Sequence, residues 1–164
     1  VAKTDTTKQI EALLFERYFL KKSERCALEP STFGKWTNRE GREFFKGWSK
    51  RCDFVSFDKG DIFTFIEIKV SLSDFKSKNG HNFNGDKNYY AIPVELFEKV
   101  NELTKYQKHI GIIVLDDGKL YVKRNAKSVE ESKLKKFKLV EQQKKEILTA
   151  CNTRIYRYLN KAYK

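Results

Sequence analysis

The chain has little of what would organise it around covalent staples, metal modules or a membrane. Its three cysteines, Cys26, Cys52 and Cys151, are odd in number and scattered over 164 residues. None has the short spacing of a zinc site, so the pattern argues against a disulfide framework and for reduced thiols in a cytoplasmic protein. No stretch approaches the apolar length of about 20 residues that crosses a bilayer. The first residues, Val1-Ala2-Lys3-Thr4-Asp5, lack the apolar core of a signal peptide. Residue 1 is Val rather than Met, which points to a processed or trimmed chain. There is no Gly-rich phosphate loop, nucleophile elbow, internal repeat or low-complexity block.

What is present fits one domain with a substantial core. Hydrophobic residues make up 40%, and 13 Phe with 8 Tyr supply bulk. The net charge of +12 is unevenly placed: residues 1–118 hold 20 Lys+Arg against 18 Asp+Glu, whereas residues 119–164 hold 14 against 4. A basic stripe of this kind suits a polyanion such as nucleic acid. Arg154, Arg157 and interleaved tyrosines strengthen that reading. A solvated lysine-rich helix is the plain alternative.

Along the chain, Ile10, Leu13, Leu14 and Tyr18 recur at helical spacing, predicting a helix over 7–22 capped by Thr6 or Thr7. A short strand follows at 25–29. Residues 31–50 are polar with Gly34, Gly41 and Gly47, yet carry two tryptophans and two adjacent phenylalanines, so they read as an ordered excursion. Strands at 52–57 and 63–70 flank the turn Asp58-Lys59-Gly60-Asp61 and predict a hairpin. A short helix or turn starts at Ser73, and the Asn/Gly-rich stretch 77–88 reads as a flexible loop. Then come a strand at 89–92, a helix from Pro93 to about 104, a buried strand at 109–115, a turn at 116–118 and a strand at 119–123. A basic helix at about 139–161 closes the chain. The order predicts a single domain of mixed α/β or α+β class, a central mixed β-sheet flanked by helices.

The 63–70 strand is unusual. Thr64, Ile66, Ile68 and Val70 share one face, and Phe63, Phe65, Glu67 and Lys69 share the other. Both faces are largely apolar, so a carboxylate and an ammonium two residues apart are expensive unless paired or bound to a metal. If the hairpin closes at 58–61, Asp53 falls near residue 66, and Asp53, Glu67 and Lys69 converge at one end of the sheet. Two hard carboxylates with a backbone carbonyl and waters suit Mg²⁺, and a neighbouring lysine suits charge stabilisation at a phosphate. The chemistry implied is phosphodiester hydrolysis. The bland alternative is surface decoration, since Glu-x-Lys is common in a chain with 34% charged residues. Glu11, near the apolar sector of the first helix, is a candidate further carboxylate, or else an exposed first-turn glutamate. His81 and His109 lack informative partners and read as ordinary polar residues.

At these residues the chain resembles the PD-(D/E)XK nuclease superfamily and, within it, the MmcB-like DNA repair family. The resemblance rests on Asp53-Phe54-Val55, Phe65-Ile66-Glu67-Ile68-Lys69-Val70-Ser71, Asp74-Phe75, Tyr89-Tyr90-Ala91-Ile92-Pro93 and Gly111-Ile112-Ile113-Val114. The basic C-terminal helix also fits. It covers roughly residues 51–125. It implies a restriction-endonuclease-like core, Asp53 and Glu67 as metal ligands with the Ile68 carbonyl, Lys69 as the catalytic lysine, and a helix-one glutamate that Glu11 would supply. Cys52 stands where the motif has its proline, residues 31–50 look like an insertion, and the loop from Lys76 to Lys87 lacks the lysine-tryptophan helix of the closer family.

The expectation is therefore a Mg²⁺-dependent DNA endonuclease or repair nuclease, with Mn²⁺ as a substitute ion. Lys123, Arg124, Arg154 and Arg157 would hold the DNA backbone, which fixes position without reading sequence. No membrane and no small-molecule cofactor are implied, and no protein partner is named. The alternative is a non-catalytic DNA-binding repair accessory that keeps the fold. A third reading is a protein-interaction domain using the Trp36/Phe44/Phe45/Trp48 excursion.

Overall fold

The computed structural model describes residues 3–28, 31–37, 43–60, 62–78, 80–81, 83 and 85–127. The helix expected at about 139–161, with Arg154 and Arg157, lies outside them. The first helix, α1 (Asp5–Phe15), starts two residues before the 7–22 span that the sequence predicts. Its cap is Thr4, whose hydroxyl accepts the Thr7 N–H at 3.2 Å, and Asp5 adds a negative charge to the first turn. The stripe Ile10, Leu14 and Phe15 is buried. It continues to buried Tyr18 in a π-helical turn, Glu16–Lys21.

Among the described residues eight strands follow: β1 (Arg25–Leu28), β2 (Ser31–Thr37), β3 (Glu43–Arg51), β4 (Phe54–Phe57), β5 (Phe63–Ile68), β6 (Lys87–Pro93), β7 (Ile110–Asp116) and β8 (Lys119–Arg124). Helix α2 (Leu72–Lys76) lies between β5 and β6, and α3 (Phe97–Leu103) between β6 and β7. The fold is α+β: a six-stranded mixed sheet, order β1-β4-β5-β6-β7-β8, flanked by helices. Strands β5, β6 and β7 run parallel, which requires crossovers, and α2 and α3 lie in those crossovers. The hairpins are built from turn chemistry. Between β4 and β5, Asp58 Oδ1 accepts the N–H groups of Gly60 and Ile62 at 2.8 and 3.1 Å. Between β7 and β8, Asp117 and Gly118 have φ of 45° and 69°, the left-handed pair that matches hairpin twist.

Every residue of β5 is buried, as a strand covered on both faces should be. On one face α1 packs Ile10 and Leu14 against Phe54, Ile66, Ile68, Tyr89, Ala91 and Ile113. On the other, Phe75 from α2 and Val100 from α3 pack with Tyr90, Ile92, Ile112 and Val114. Each such side chain contributes about 1.5–3 kcal/mol by leaving water. The 31–50 excursion supplies β2 and β3, a separate two-stranded antiparallel sheet. Pro93 ends β6 rather than opening a helix, because a 3₁₀ turn, Val94–Leu96, intervenes before α3. Among the described residues no helix is long and apolar enough to cross a membrane.

Candidate active site at the end of strand β5

The β4–β5 ladder closes with Phe54 opposite Ile66. Continuing that register by one residue sets Asp53 opposite Glu67, one step from the sequence expectation. Beyond the ladder the Ile68 N–H needs an acceptor, and Asp53 Oδ2 takes it at 2.8 Å. On the other edge of β5, the Lys69 N–H reaches the Ala91 carbonyl at 3.0 Å and extends the pairing with β6. Asp53 is thus tied to the segment that presents Glu67 and Lys69.

Glu67 is 0% exposed and Lys69 is 3% exposed. Their head groups meet at Gly80. A Cβ there would lie 2.6 Å from Lys69 Nζ and 3.2 Å from Glu67 Oε2. Gly80 also has φ of +69°, a conformation that disfavours any side chain. The backbone at Gly80 therefore covers the pair closely. Lys69 Nζ lies 3.4 Å from Asp74 Oδ1 on α2. The Ser71 hydroxyl caps that helix by accepting the Asp74 N–H at 3.1 Å, which fixes where Asp74 stands.

Tyr90 pairs with Glu67 in the β5–β6 register. Burial first, then the Glu67 carboxylate, pushes its phenol well above the ordinary tyrosine range. His81 closes this side. Its Nε2 lies 2.9 Å from the Ser77 carbonyl, which can only accept, so Nε2 carries the proton. Nδ1 then accepts the Tyr90 O–H at 2.7 Å. Cys52 lies behind the two carboxylates: burial, then Glu67 and more weakly Asp53, push its thiol up, so it stays protonated.

Asp53, Glu67 and Lys69 are thus gathered at one end of β5. Glu11 is not gathered with them. It pairs with Lys3, and its helix covers the Ile66/Ile68 face, the opposite face of β5. Among the described residues, no three or more His, Cys, Asp or Glu side chains group as a metal cage. Two carboxylates are nevertheless an adequate protein contribution for Mg²⁺, which keeps several waters and takes substrate phosphate oxygens. The donor chemistry of Asp53 and Glu67 fits such an ion. Lys123 is exposed on β8. Arg124 turns its guanidinium onto the protein, donating to the Ile110 carbonyl, Asn101 Oδ1 and Thr104 Oγ1 at 3.0, 2.9 and 2.7 Å. Asp74, Gly80 and His81 belong to this end of the sheet without any spacing or motif in the sequence that marks them as site residues. The Asn/Gly-rich composition of the loop was the only signal for the last two.

No family model matches the chain, and no curated protein matches it. Among solved structures it is similar to the SPO1766 protein of unknown function from Silicibacter pomeroyi, at a TM-score of 0.64 and 16% identity, over 99% of this chain and 94% of that one. At that identity the likeness shows the fold alone.

Proposed function

We propose that the chain is a cytoplasmic, Mg²⁺-dependent DNA nuclease of the PD-(D/E)XK type that resembles the MmcB-like repair family. The observation that carries this reading is the meeting of buried Glu67 and Lys69 at Gly80, with Asp53 held to the same strand end by the Ile68 N–H. Asp53 and Glu67 would hold the ion. When bound, Mg²⁺ polarises a phosphoryl oxygen and lowers the pKa of a bound water. Lys69 orients the attacking water and stabilises the charge growing on the phosphate, while Asp74 steadies its ammonium. The water oxygen would form the new P–O bond as it gives up a proton, the ester P–O bond would break, and the leaving oxygen would take up a proton in its place, so that the two transfers balance.

A second reading, a DNA-binding repair accessory with the same fold, draws support from Glu11 standing apart from the other two carboxylates. One assay separates the two. Single-stranded, duplex, flap and forked DNA are offered with Mg²⁺, Mn²⁺ or EDTA, beside folded Lys69→Ala and Asp53→Ala proteins. The nuclease cuts in a metal-dependent way, and each substitution lowers cutting by at least about a hundredfold. DNA bound but never cut selects the accessory. Neither binding nor cutting overturns both.

A further inference from the structure

Three strands across the sheet from Glu67, along the row Glu67–Tyr90–Ile112–Arg124, lies a second concentration of charge. Strand β8 runs antiparallel to β7, so its last residue, Arg124, pairs with Ile112, and its side chain reaches back to the Ile110 carbonyl at the start of β7. The chain continues past the turn after α3, where the Lys127 N–H donates to the His109 carbonyl at 3.0 Å. Between these segments is a cleft of about 360 Å³. Arg124, with Asn101 and Asn125, lines it, and Lys105, Lys108 and Lys127 complete its cationic rim.

The electrostatics of this cleft are unbalanced. Arg124 is half-buried, yet its three hydrogen-bond acceptors are a backbone carbonyl, an amide oxygen and a hydroxyl. Thr104 Oγ1 can accept because it spends its own proton on the Val100 carbonyl at 2.7 Å. Among the described residues no carboxylate meets the guanidinium. The one carboxylate in the lining, Glu102, is taken by Lys105 at 2.7 Å. A half-buried cation held by neutral acceptors retains an unmet demand for negative charge. A guanidinium has five N–H groups, and the three contacts leave two for an outside ligand. Its orientation is already fixed, which removes much of the ordering cost of binding.

We propose that this cleft is a phosphate-binding site, distinct from the candidate active site. The planar Arg124 fork supplies directional N–H groups that suit a phosphate, and Lys108 and Lys127 supply mobile positive charge around it. The phosphate is carried either by a small phosphorylated molecule or by a nucleic-acid strand. In the second case the cleft is an anchor for the polyanion of the proposed function.

The test reads the cleft itself. Isotope-labelled full-length protein is titrated with sodium phosphate, pyrophosphate, a nucleoside monophosphate and a twelve-nucleotide single strand, at constant ionic strength against sodium chloride. The Arg124 side-chain N–H and the Asn125 and Lys127 amide resonances should shift saturably with at least one phosphate ligand and not with chloride. Lys108 and Lys127 are exposed, so the Lys108→Ala/Lys127→Ala protein should fold normally. It should bind at least about fivefold more weakly. Saturation by the strand, with small phosphates as competitors, identifies a nucleic-acid anchor. Saturation by small phosphates alone identifies a phosphorylated metabolite. Shifts reproduced by chloride, or unaltered in the double variant for all four probes, overturn the proposal. Lys69→Ala leaves this titration unchanged whatever it does to cleavage, so the two readings fail separately.

Discussion

Glu67 and Lys69 illustrate what one buried position can demand of its neighbours. Taking both charges out of water is costly, and their attraction offsets that only with close geometry and further partners. The chain supplies these locally: Asp74 from α2 beside Lys69, and a residue without a side chain, Gly80, over both head groups. Gly80→Ala would place a methyl group 2.6 Å from Lys69 Nζ in a backbone with φ of +69°. The near atom is the far end of a flexible side chain, so the protein should yield by displacing the ammonium rather than by unfolding. We expect a destabilisation of about 1–2 kcal/mol and, under the proposed function, cleavage lowered at least about tenfold. Gly118→Ala is the matched control, because Gly118 has the same φ of +69° with nothing within 4 Å of its Cβ position. It should lose comparable stability in thermal melts and keep its activity. Equal activity in both variants would detach Gly80 from the site.

Elements were legible where local pattern and tertiary burial agree. Strands β4, β5 and β7 are near-continuous apolar runs covered on both faces, and helix α1 shows the helical spacing of its covered face. The start of α1 differs from the sequence expectation because Thr4, Thr6 and Thr7 offer three caps within four residues, and the folded chain uses the first. The start of β6 was hidden because Lys87 and Asn88 look like loop. Buried Asn88 is satisfied by Gly85, accepting its N–H and donating to its carbonyl, both at 3.0 Å. Strands β2 and β3 escaped because they form a ribbon of their own, separate from the main sheet. Within the site, Asp53, Glu67 and Lys69 were readable from one hairpin, whereas Asp74, Gly80 and His81 arrive through the β5–β6 crossover. The β2–β3 ribbon leaves and returns between Leu28 and Phe54, which are already paired across the β1–β4 ladder. Replacing residues 30–50 by a short Gly-Asn linker should therefore close β1 onto β4 as an ordinary hairpin. We expect a cooperative thermal melt and retained amide protection in β4–β7 by hydrogen exchange. Protection lost across the whole sheet would show that the ribbon is part of the folding unit.

Across the whole molecule, the sheet separates two chemistries. The C-terminal end of β5 carries the acidic and lysine groups of the candidate active site. The N-terminal end of β7, where β8 returns, carries the cationic cleft. Along β8 and its continuation, Lys119, Lys123, Arg124 and Lys127 occur with no acidic residue between them. Residues 128–164 add 10 Lys+Arg against 4 Asp+Glu. If this excess serves a polynucleotide, binding must be driven by counterion release, and the logarithm of affinity should fall linearly with the logarithm of salt. Each neutralised phosphate on duplex DNA contributes about −0.9 to that slope, so Arg124, Lys108 and Lys127, the cleft cations other than the Glu102-paired Lys105, would give about −2.7. Arg154→Ala/Arg157→Ala should make the slope shallower by about 2 if both arginines touch phosphates, with similar losses on unrelated sequences. Fluorescence anisotropy of a labelled duplex across a salt series measures both quantities. A wild-type slope near zero would remove nucleic acid as the partner despite the net charge of +12. A steep slope unchanged in the double variant would assign the phosphate contacts to basic residues other than Arg154 and Arg157, with the β8 end of the sheet the first place to look.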